Sequence, residues 1–384
     1  MVSAPIAPAA PPTFEPSLAG PYFHDPAIFA QEQARLFGTM WTCVGRADAI
    51  PDAGQLFTAD LSGESILVVR GRDGEVRAFL NVCRHRGARL ATEPCGEVVD
   101  VGKAIQCPYH AWSYGLDGRL LGAPNLGHDE RLDRESFGLL KVRCEVWQGM
   151  VWLNLADEAE SPGGVAAQLD PPLLQRFGTL DIFNRYGVGG LTVGRSISYE
   201  IASNWKLVVE NFMECYHCAP VHPELVRLLP EFRNGTSYQG IPGEGTAFAD
   251  DITAFTLSGG GHRPRLPGLG PADDRTYFGF VLWPNVFVNL LPDHVILHTL
   301  RPLGPERSHV TCDWLFAPDD VARPDFDPSD TVAIFDLVNR QDWDVCERTQ
   351  LGMHSRAYAA GGVYVQNETH IAGFRDLVLE KLGG

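Results

Sequence analysis

The chain has 384 residues, 45% of them hydrophobic and 21% charged, enough apolar side chain for two or three packed domains and too little charge for a disordered polymer. Its 31 lysines and arginines against 48 acids give a formal net charge of −17, which argues against nucleic acid or an anionic membrane as a general partner. The best uncharged run, 276–292, is shorter than a bilayer requires and contains Pro284, Asn285, Asn289 and Pro292.

Residues 1–20 lack the basic start and apolar centre of a secretory signal, and their Pro/Ala content predicts a flexible arm on a cytoplasmic protein. Nine cysteines, an odd number spread thinly, suit reduced thiols better than a disulfide framework.

From about Met40 to Leu155, β-type runs alternate with glycine: SILVVRG, VRAFLNVC, KAIQCPYHAW, GRLLG and VWQGMVWLNL. They predict a small all-β domain spanning 40–160. The acidic, Pro/Gly-containing stretch 156–181 then becomes helix-like, and the boundary is expected near Glu160. A strand-like LTVGRSISYEIA, a helical run from about Asn204 to Tyr216 and a glycine-rich loop region follow. Strands return with YFGFVLW, VFVNLLP, HVILHTLRPL and SHVTCDWLFA, before helices from about Ser329. The order predicts an α+β domain with an antiparallel sheet.

Two motifs carry chemistry. In the first, Cys83-Arg84-His85 is followed after 21 residues by Cys107-Pro108-Tyr109-His110, each pair at the end of a β-run. Four such ligands could hold one zinc ion. One residue between Cys83 and His85 is tight for that, whereas a two-iron cluster lets the cysteines hold one iron and the histidines the other.

The second lies in NWKLVVENFMECYHCAPVHP, where Trp205, Val208, Val209, Phe212 and Tyr216 form an apolar helical stripe and Glu214 and His217 share a face. His222, five residues beyond His217, would sit about 140° away on a regular helix. Pro220 is expected to break the helix and bring the two histidines together. A mononuclear iron with two histidines also needs a carboxylate. Asp342 qualifies, because Phe335, Val338, Asp342, Val345 and Thr349 recur at spacings of 3 and 4 on an inward stripe, while Asp344 falls on a polar line.

CRHRGARL with CPYHAWSYGLDGRL resembles the Rieske [2Fe-2S] domain. NWKLVVENFMECYHCAPVHPEL with QDWDVCERTQLGMHSRAY resembles the catalytic domain of Rieske non-haem iron oxygenase α subunits, nearest the branch of glycine betaine and proline betaine demethylases and choline or carnitine monooxygenases. The resemblance covers roughly residues 20–375. It implies a helix-grip (START/Bet v1-like) catalytic domain built from 21–39 and 161–384, in a homotrimer where the cluster of one subunit lies beside the mononuclear iron of the next.

Carried over, Cys83, His85, Cys107 and His110 bind the [2Fe-2S] cluster. His217, His222 and Asp342 bind Fe(II), and Glu214 bridges His217 to His110 of the adjacent subunit. Many relatives have Asp at the Glu214 position, and Glu is common in the amine-oxidising branch. Ala111, where CPYHGW is more usual, is a departure expected to matter little.

No dinucleotide fingerprint occurs in the chain, so NAD(P)H would act through a separate flavin and iron-sulfur reductase. The expected activity is O2-dependent N-demethylation of a quaternary or tertiary amine by methyl hydroxylation. Hydroxylation or demethylation of an aromatic or other apolar compound is the alternative, and a pure electron carrier, with two irons per chain instead of three, is a third. Phe248, Phe255, Tyr277, Phe278 and Trp283 are candidate faces for a cation, with core packing the commoner role for each. Cys215 and Cys218 are expected to pack as thiols, and His294 and His298 to be satisfied or solvated, although either could line a pocket.

Overall fold

A computed structural model of the chain describes residues 14–126, 133–235, 241–261 and 263–383. The β-type runs of the first half pair into a seven-stranded antiparallel sheet, in the order Thr42–Arg46, Met150–Asn154, Lys141–Trp147, Val76–Leu80, Glu64–Arg70, Gln55–Leu61 and Val98–Asp100. VWQGMVWLNL is a hairpin turn with its flanks, not one strand. Gln148 and Gly149 both take positive φ, 51° and 76°, which sets Trp147 opposite Met150.

A three-stranded sheet of Ile105–Gln106, Ser113–Tyr114 and Leu120–Gly122 shares a core with the larger one, where Ile105, Tyr114 and Leu120 cluster with Leu56, Val69 and Phe79. Of the run KAIQCPYHAW only Ile105–Gln106 is strand, since the chain turns away at Cys107.

The second half forms a six-stranded antiparallel sheet ordered Thr192–Ile201, Arg307–Phe316, Val295–Gly304, Val286–Leu290, Thr276–Leu282 and Thr246–Ala247. The helix Ser329–Met353 lies across it: Asn339 meets His298 at 3.0 Å, and Tyr199 donates to Asp336 at 2.7 Å. The helix Val165–Phe177 packs Phe177 on Phe278 and Phe280. A long helix against an antiparallel sheet is the expected α+β grip.

Two expectations change. The described part of the amino-terminal arm is docked, not free: Glu15–Pro16 pairs with Val363–Tyr364 and Leu18 is buried, because an edge strand and apolar partners are available; residues 1–13 lie outside the described residues. On the long helix the buried line runs Phe335, Val338, Cys346, Gln350 and Met353, not through Val345 and Thr349. Its second half is drawn round by the segment before the next helix: Ser203 donates to the carbonyl of Cys346 at 3.3 Å, and the Asn204 N–H to the Gln350 side chain at 2.8 Å. Asp344 is exposed and pairs with Arg348 at 2.9 Å, as its polar line predicts.

The helix Trp205–Phe212 begins on Asn204, whose side chain accepts from the Lys206 N–H at 3.0 Å. It is anchored by Glu32, which is fully buried and accepts from Lys206 Nζ at 2.5 Å and Trp205 Nε1 at 2.8 Å. Both charges and the indole N–H are thereby satisfied inside the core, which holds this helix in one position.

Candidate active site

The helix Trp205–Phe212 stops at Met213, short of the expected Tyr216. The Glu214 carboxylate accepts from the backbone N–H groups of Tyr216 and His217, offering the chain an alternative to the helical ladder. Tyr216, expected in the apolar stripe, is therefore 57% exposed. Glu214 and His217 still meet, side chain to side chain at His217 Nδ1, although not on a helix face.

A second short helix, Cys218–Val221, contains Pro220 at its third position, where a helix needs no N–H donor. His222 still donates its N–H to the Cys218 carbonyl at 2.8 Å. The turn falls instead at His222 itself, with φ −122° and ψ 65°, because Pro223 excludes the helical conformation from the residue before it. Pro223, not Pro220, swings His222 toward His217.

The consequence is a convergent trio. Ligand atoms of His217, His222 and Asp342 all lie within 4.8 Å of one another, the only such group among the described residues. Asp342 Oδ1 is 2.8 Å from His222 Nε2 and 3.2 Å from His217 Nε2. The Nδ1 atoms face outward: that of His217 to Glu214, that of His222 to Gln341 Oε1 at 2.7 Å, whose amide in turn reaches Glu224 at 3.3 Å. These outer hydrogen bonds hold both Nε2 atoms toward one point, the second layer a metal site requires.

Electrostatics agree. Burial disfavours charge on His217, but hydrogen bonds to Asp342 and Glu214 outweigh it and raise the imidazole to about 10. Burial likewise opposes the Asp342 carboxylate, yet its two histidines bring it down to about 2. The cluster demands positive charge at its centre, and its two imidazoles and one carboxylate suit a ferrous ion with open positions.

The other four predicted ligands lie on two loops at one tip of the β domain. Cys83 and Cys107 are buried, His85 and His110 exposed, and the two imidazole rings stand 4.6 Å apart between centroids. Two buried cysteines and two exposed histidines give the site a buried sulfur side and an exposed imidazole side, the arrangement that suits a two-iron cluster with cysteines on one iron and histidines on the other.

Tyr114 accepts the Arg84 N–H at 3.0 Å and so donates its own proton to Cys83 Sγ at 3.2 Å. Tyr114→Phe should lower the cluster's reduction potential by roughly 50 mV, the one-electron equivalent of about 1 kcal/mol, because a donor that stabilises the reduced sulfur is lost. Redox titration of the visible spectrum measures it, and an unchanged potential would refute the bond's role.

Ala111 matters more than expected. Its φ is +56°, the left-handed region that suits glycine, while its N–H donates to the Cys107 carbonyl at 3.1 Å. Ala111→Gly is expected to stabilise the loop by about 0.5–1 kcal/mol, read as a higher thermal midpoint for loss of the cluster's absorption.

The trio opens into a cavity of about 660 Å³ between the sheet and the long helix. Its lining includes the aromatic side chains of Phe212, Tyr277, Trp283, Phe287, Phe335 and Trp343. Of the five candidate aromatic faces only Tyr277 and Trp283 line it; Phe248, Phe255 and Phe278 are buried in the core. His298 lines it as well and is satisfied, while His294 is buried and bonded to Asp293 at 2.8 Å and Thr331 at 2.9 Å.

A chain of donors runs along the wall. Tyr277 donates to Asn289 at 2.6 Å, Asn289 to His298 Nδ1 at 3.4 Å and His298 Nε2 to Asn339 at 3.0 Å, with burial pushing His298 down to about 4 and so keeping it neutral. Sequence reasoning missed Asn289 and Asn339. Polar residues in an otherwise apolar strand and on a buried helix line were the available signal.

Cys215 and Cys218, expected as packed thiols, are joined as a disulfide on either side of His217, with Cα atoms 4.8 Å apart. The i, i+3 spacing across the start of the short helix brings the two sulfurs together.

Residues 188–384 match the catalytic domain of the ring-hydroxylating α subunit, and residues 40–141 match the Rieske [2Fe-2S] domain. Over 376 residues the chain is 31% identical to the glycine betaine monooxygenase oxygenase subunit of Chromohalobacter salexigens, covering 90% of this chain and 81% of that one. It is 29% identical over 348 residues to the carnitine monooxygenase oxygenase subunit of Escherichia coli, covering 89% and 85%. A solved structure of the quaternary ammonium Rieske monooxygenase CntA with γ-butyrobetaine superposes with a TM-score of 0.73 at 26% identity, covering 96% of each chain. With a Rieske [2Fe-2S] cluster and a mononuclear iron as its cofactors, the chain is an oxidoreductase and belongs to the Rieske non-haem iron oxygenase α-subunit family.

Proposed function

We propose that this protein is the terminal oxygenase component that N-demethylates a quaternary amine of the betaine type. The observation that carries the reading is the convergence of two imidazoles and one carboxylate in a cavity whose lining includes several aromatic faces, which attract an alkylammonium ion. The relatives named for glycine betaine and carnitine, and the solved CntA complex with γ-butyrobetaine, support the same substrate class. An electron carrier would need no such trio.

In this reading Cys83, His85, Cys107 and His110 hold the cluster, and His217, His222 and Asp342 hold the mononuclear iron. When bound, the two centres supply single electrons and O2 activation. The protein's own groups prepare the site. Gln341 and Glu214 fix the two imidazoles, the buried neutral His298 and its asparagine partners keep the polar part of the wall in one arrangement, and the aromatic faces orient the ammonium with a methyl toward the trio. Hydroxylation of an N-methyl carbon gives a hemiaminal that releases formaldehyde and a proton and leaves the tertiary amine.

Among the described residues no hydrogen bond or ring contact joins His85 or His110 to the trio within one chain. A homotrimer, with His110 of one copy beside Glu214 of the next, supplies the missing link. Electrons would come from NAD(P)H through a separate flavin and iron-sulfur reductase in the cytoplasm; no helix among the described residues is long and apolar enough to cross a membrane. The amino-terminal arm as 1–20, the β domain as 40–160 and the catalytic domain as 21–39 plus 161–384 remain the proposed division, with the arm's described part docked on the catalytic domain.

The test is a screen of methylated amines and aromatic acids with a surrogate reductase, following formaldehyde and substrate-dependent O2 uptake. Formaldehyde from a quaternary amine is the expected result; turnover of aromatic acids alone would replace this reading with the apolar one.

A further inference from the structure

Two sulfurs stand beside the trio. Cys215 and Cys218 form the disulfide that brackets His217, and the other seven cysteines are not paired with one another. Of all nine, only these two line the cavity, alongside His217, His222 and Asp342. Both are otherwise buried, so the cavity is the route by which a small oxidant reaches them, and an oxidant formed there meets this pair before any other cysteine.

The backbone holds the pair ready for either state. Two residues separate the cysteines, their Cα atoms are 4.8 Å apart, and the turn between them is closed by the Cys218 N–H on the Cys215 carbonyl at 3.1 Å. The short helix beyond keeps its own bonds, from the Val221 N–H to the His217 carbonyl at 3.1 Å and from the His222 N–H to the Cys218 carbonyl at 2.8 Å. These hydrogen bonds keep the sulfurs within reach of each other with or without the covalent link, and so small a ring constrains the unfolded chain far less than a long one. A pair so placed is a two-electron couple and not a staple of the fold.

We infer that Cys215 and Cys218 are a reversible oxidation site that consumes hydrogen peroxide formed in the cavity when O2 is reduced with no substrate to oxidise. O2 takes up two electrons and two protons to give the peroxide. One thiol sulfur attacks a peroxide oxygen, the O–O bond breaks, and a sulfenic acid and one water result. The second thiol displaces another water as the S–S bond forms, so two thiols and one H2O2 give one disulfide and two waters. A small dithiol restores both thiols by exchange and itself becomes the disulfide. The neighbour this spares is Met213, which lines the same cavity and whose thioether peroxide converts to the sulfoxide. The inference goes beyond the amine reading: it rests on the iron assigned to the trio and on no particular substrate.

The test uses the full-length holoprotein, treated with dithiothreitol, freed of it anaerobically and reduced with stoichiometric dithionite. It is then held under O2 without substrate until the cluster spectrum is oxidised, with catalase present to destroy peroxide outside the cavity. Denaturing alkylation and peptide mass spectrometry should find Cys215 joined to Cys218 in most chains and the other seven cysteines alkylated, and dithiothreitol should return both to alkylatable thiols. Protein stripped of its mononuclear iron by a ferrous chelator should keep both thiols. In the double variant Cys215→Ser, Cys218→Ser, sulfoxide at Met213 should rise about 3-fold or more over wild type after the same treatment.

A bond that catalase prevents, a bond that forms equally in the stripped protein, or unchanged sulfoxide at Met213 in the double variant would each overturn the inference. Thiols that survive in a sample carrying three irons per chain overturn it while leaving the metal assignment intact, and a sample that holds only two irons at the outset defeats both.

Discussion

His217→Ala is expected to leave the protein folded, with its Rieske absorption unchanged, and to cut product formation by well over ~100-fold, beyond what loss of an outer-layer partner alone produces. In the proposed assignment the two centres share no ligand. Removing the imidazole takes one of the three atoms that converge within 4.8 Å and leaves Asp342 with His222 as its remaining histidine partner at 2.8 Å. The side chains of Cys83 and Cys107 are buried in a separate apolar cluster that the change does not touch. Iron analysis should therefore fall from three per chain to two, with acid-labile sulfide constant. A variant that keeps its third iron, or that loses the visible band together with activity, would contradict the separation of the two sites.

How much of this site could be read without coordinates depends on what each signal encodes. The pairing of Cys83 with His85 and of Cys107 with His110 is local, and so are the β-type runs that end in those loops; both survive translation into structure because neighbours in sequence are neighbours in space. Asp342 was found through helical periodicity. Only the half of its stripe that faces the sheet kept the predicted line, since the other half is drawn toward Ser203 and Asn204 by hydrogen bonds that no periodicity contains.

The kink was mislocated for a related reason. Pro220 looks like the helix breaker, yet a proline in the first turn of a new helix costs little, and the restriction that bends the chain is the one Pro223 imposes on His222. The cavity wall was least legible. Whether an aromatic residue faces a hollow or a core depends on which strand and which side it occupies, so Phe278 is lost to packing against Phe177 while Phe287 and Phe335 are gained. Composition alone does not separate those outcomes.

Glu214→Gln tests the remaining link between the two centres. The carboxylate has two jobs within its own chain: one side accepts from the backbone N–H groups of Tyr216 and His217, shaping the turn, and Oε1 receives His217 Nδ1. An amide of the same size still offers one oxygen to the turn. Its other end is an N–H2 group, which opposes the Nδ1 proton of His217 and cannot accept a second donor from an imidazole of a neighbouring copy.

Folding, the cluster spectrum and three irons per chain should therefore persist, because the trio keeps all its own ligand atoms. Reoxidation of a pre-reduced cluster by O2 in the presence of substrate, followed in a single turnover, should slow by about 100-fold or more, since the bridge fails while both ends remain. Glu214→Asp, which preserves the charge, should recover part of the rate. Cluster reoxidation coupled to product at the wild-type rate in the glutamine variant would show that electrons do not pass through this side chain, and the role of Glu214 would shrink to orienting His217.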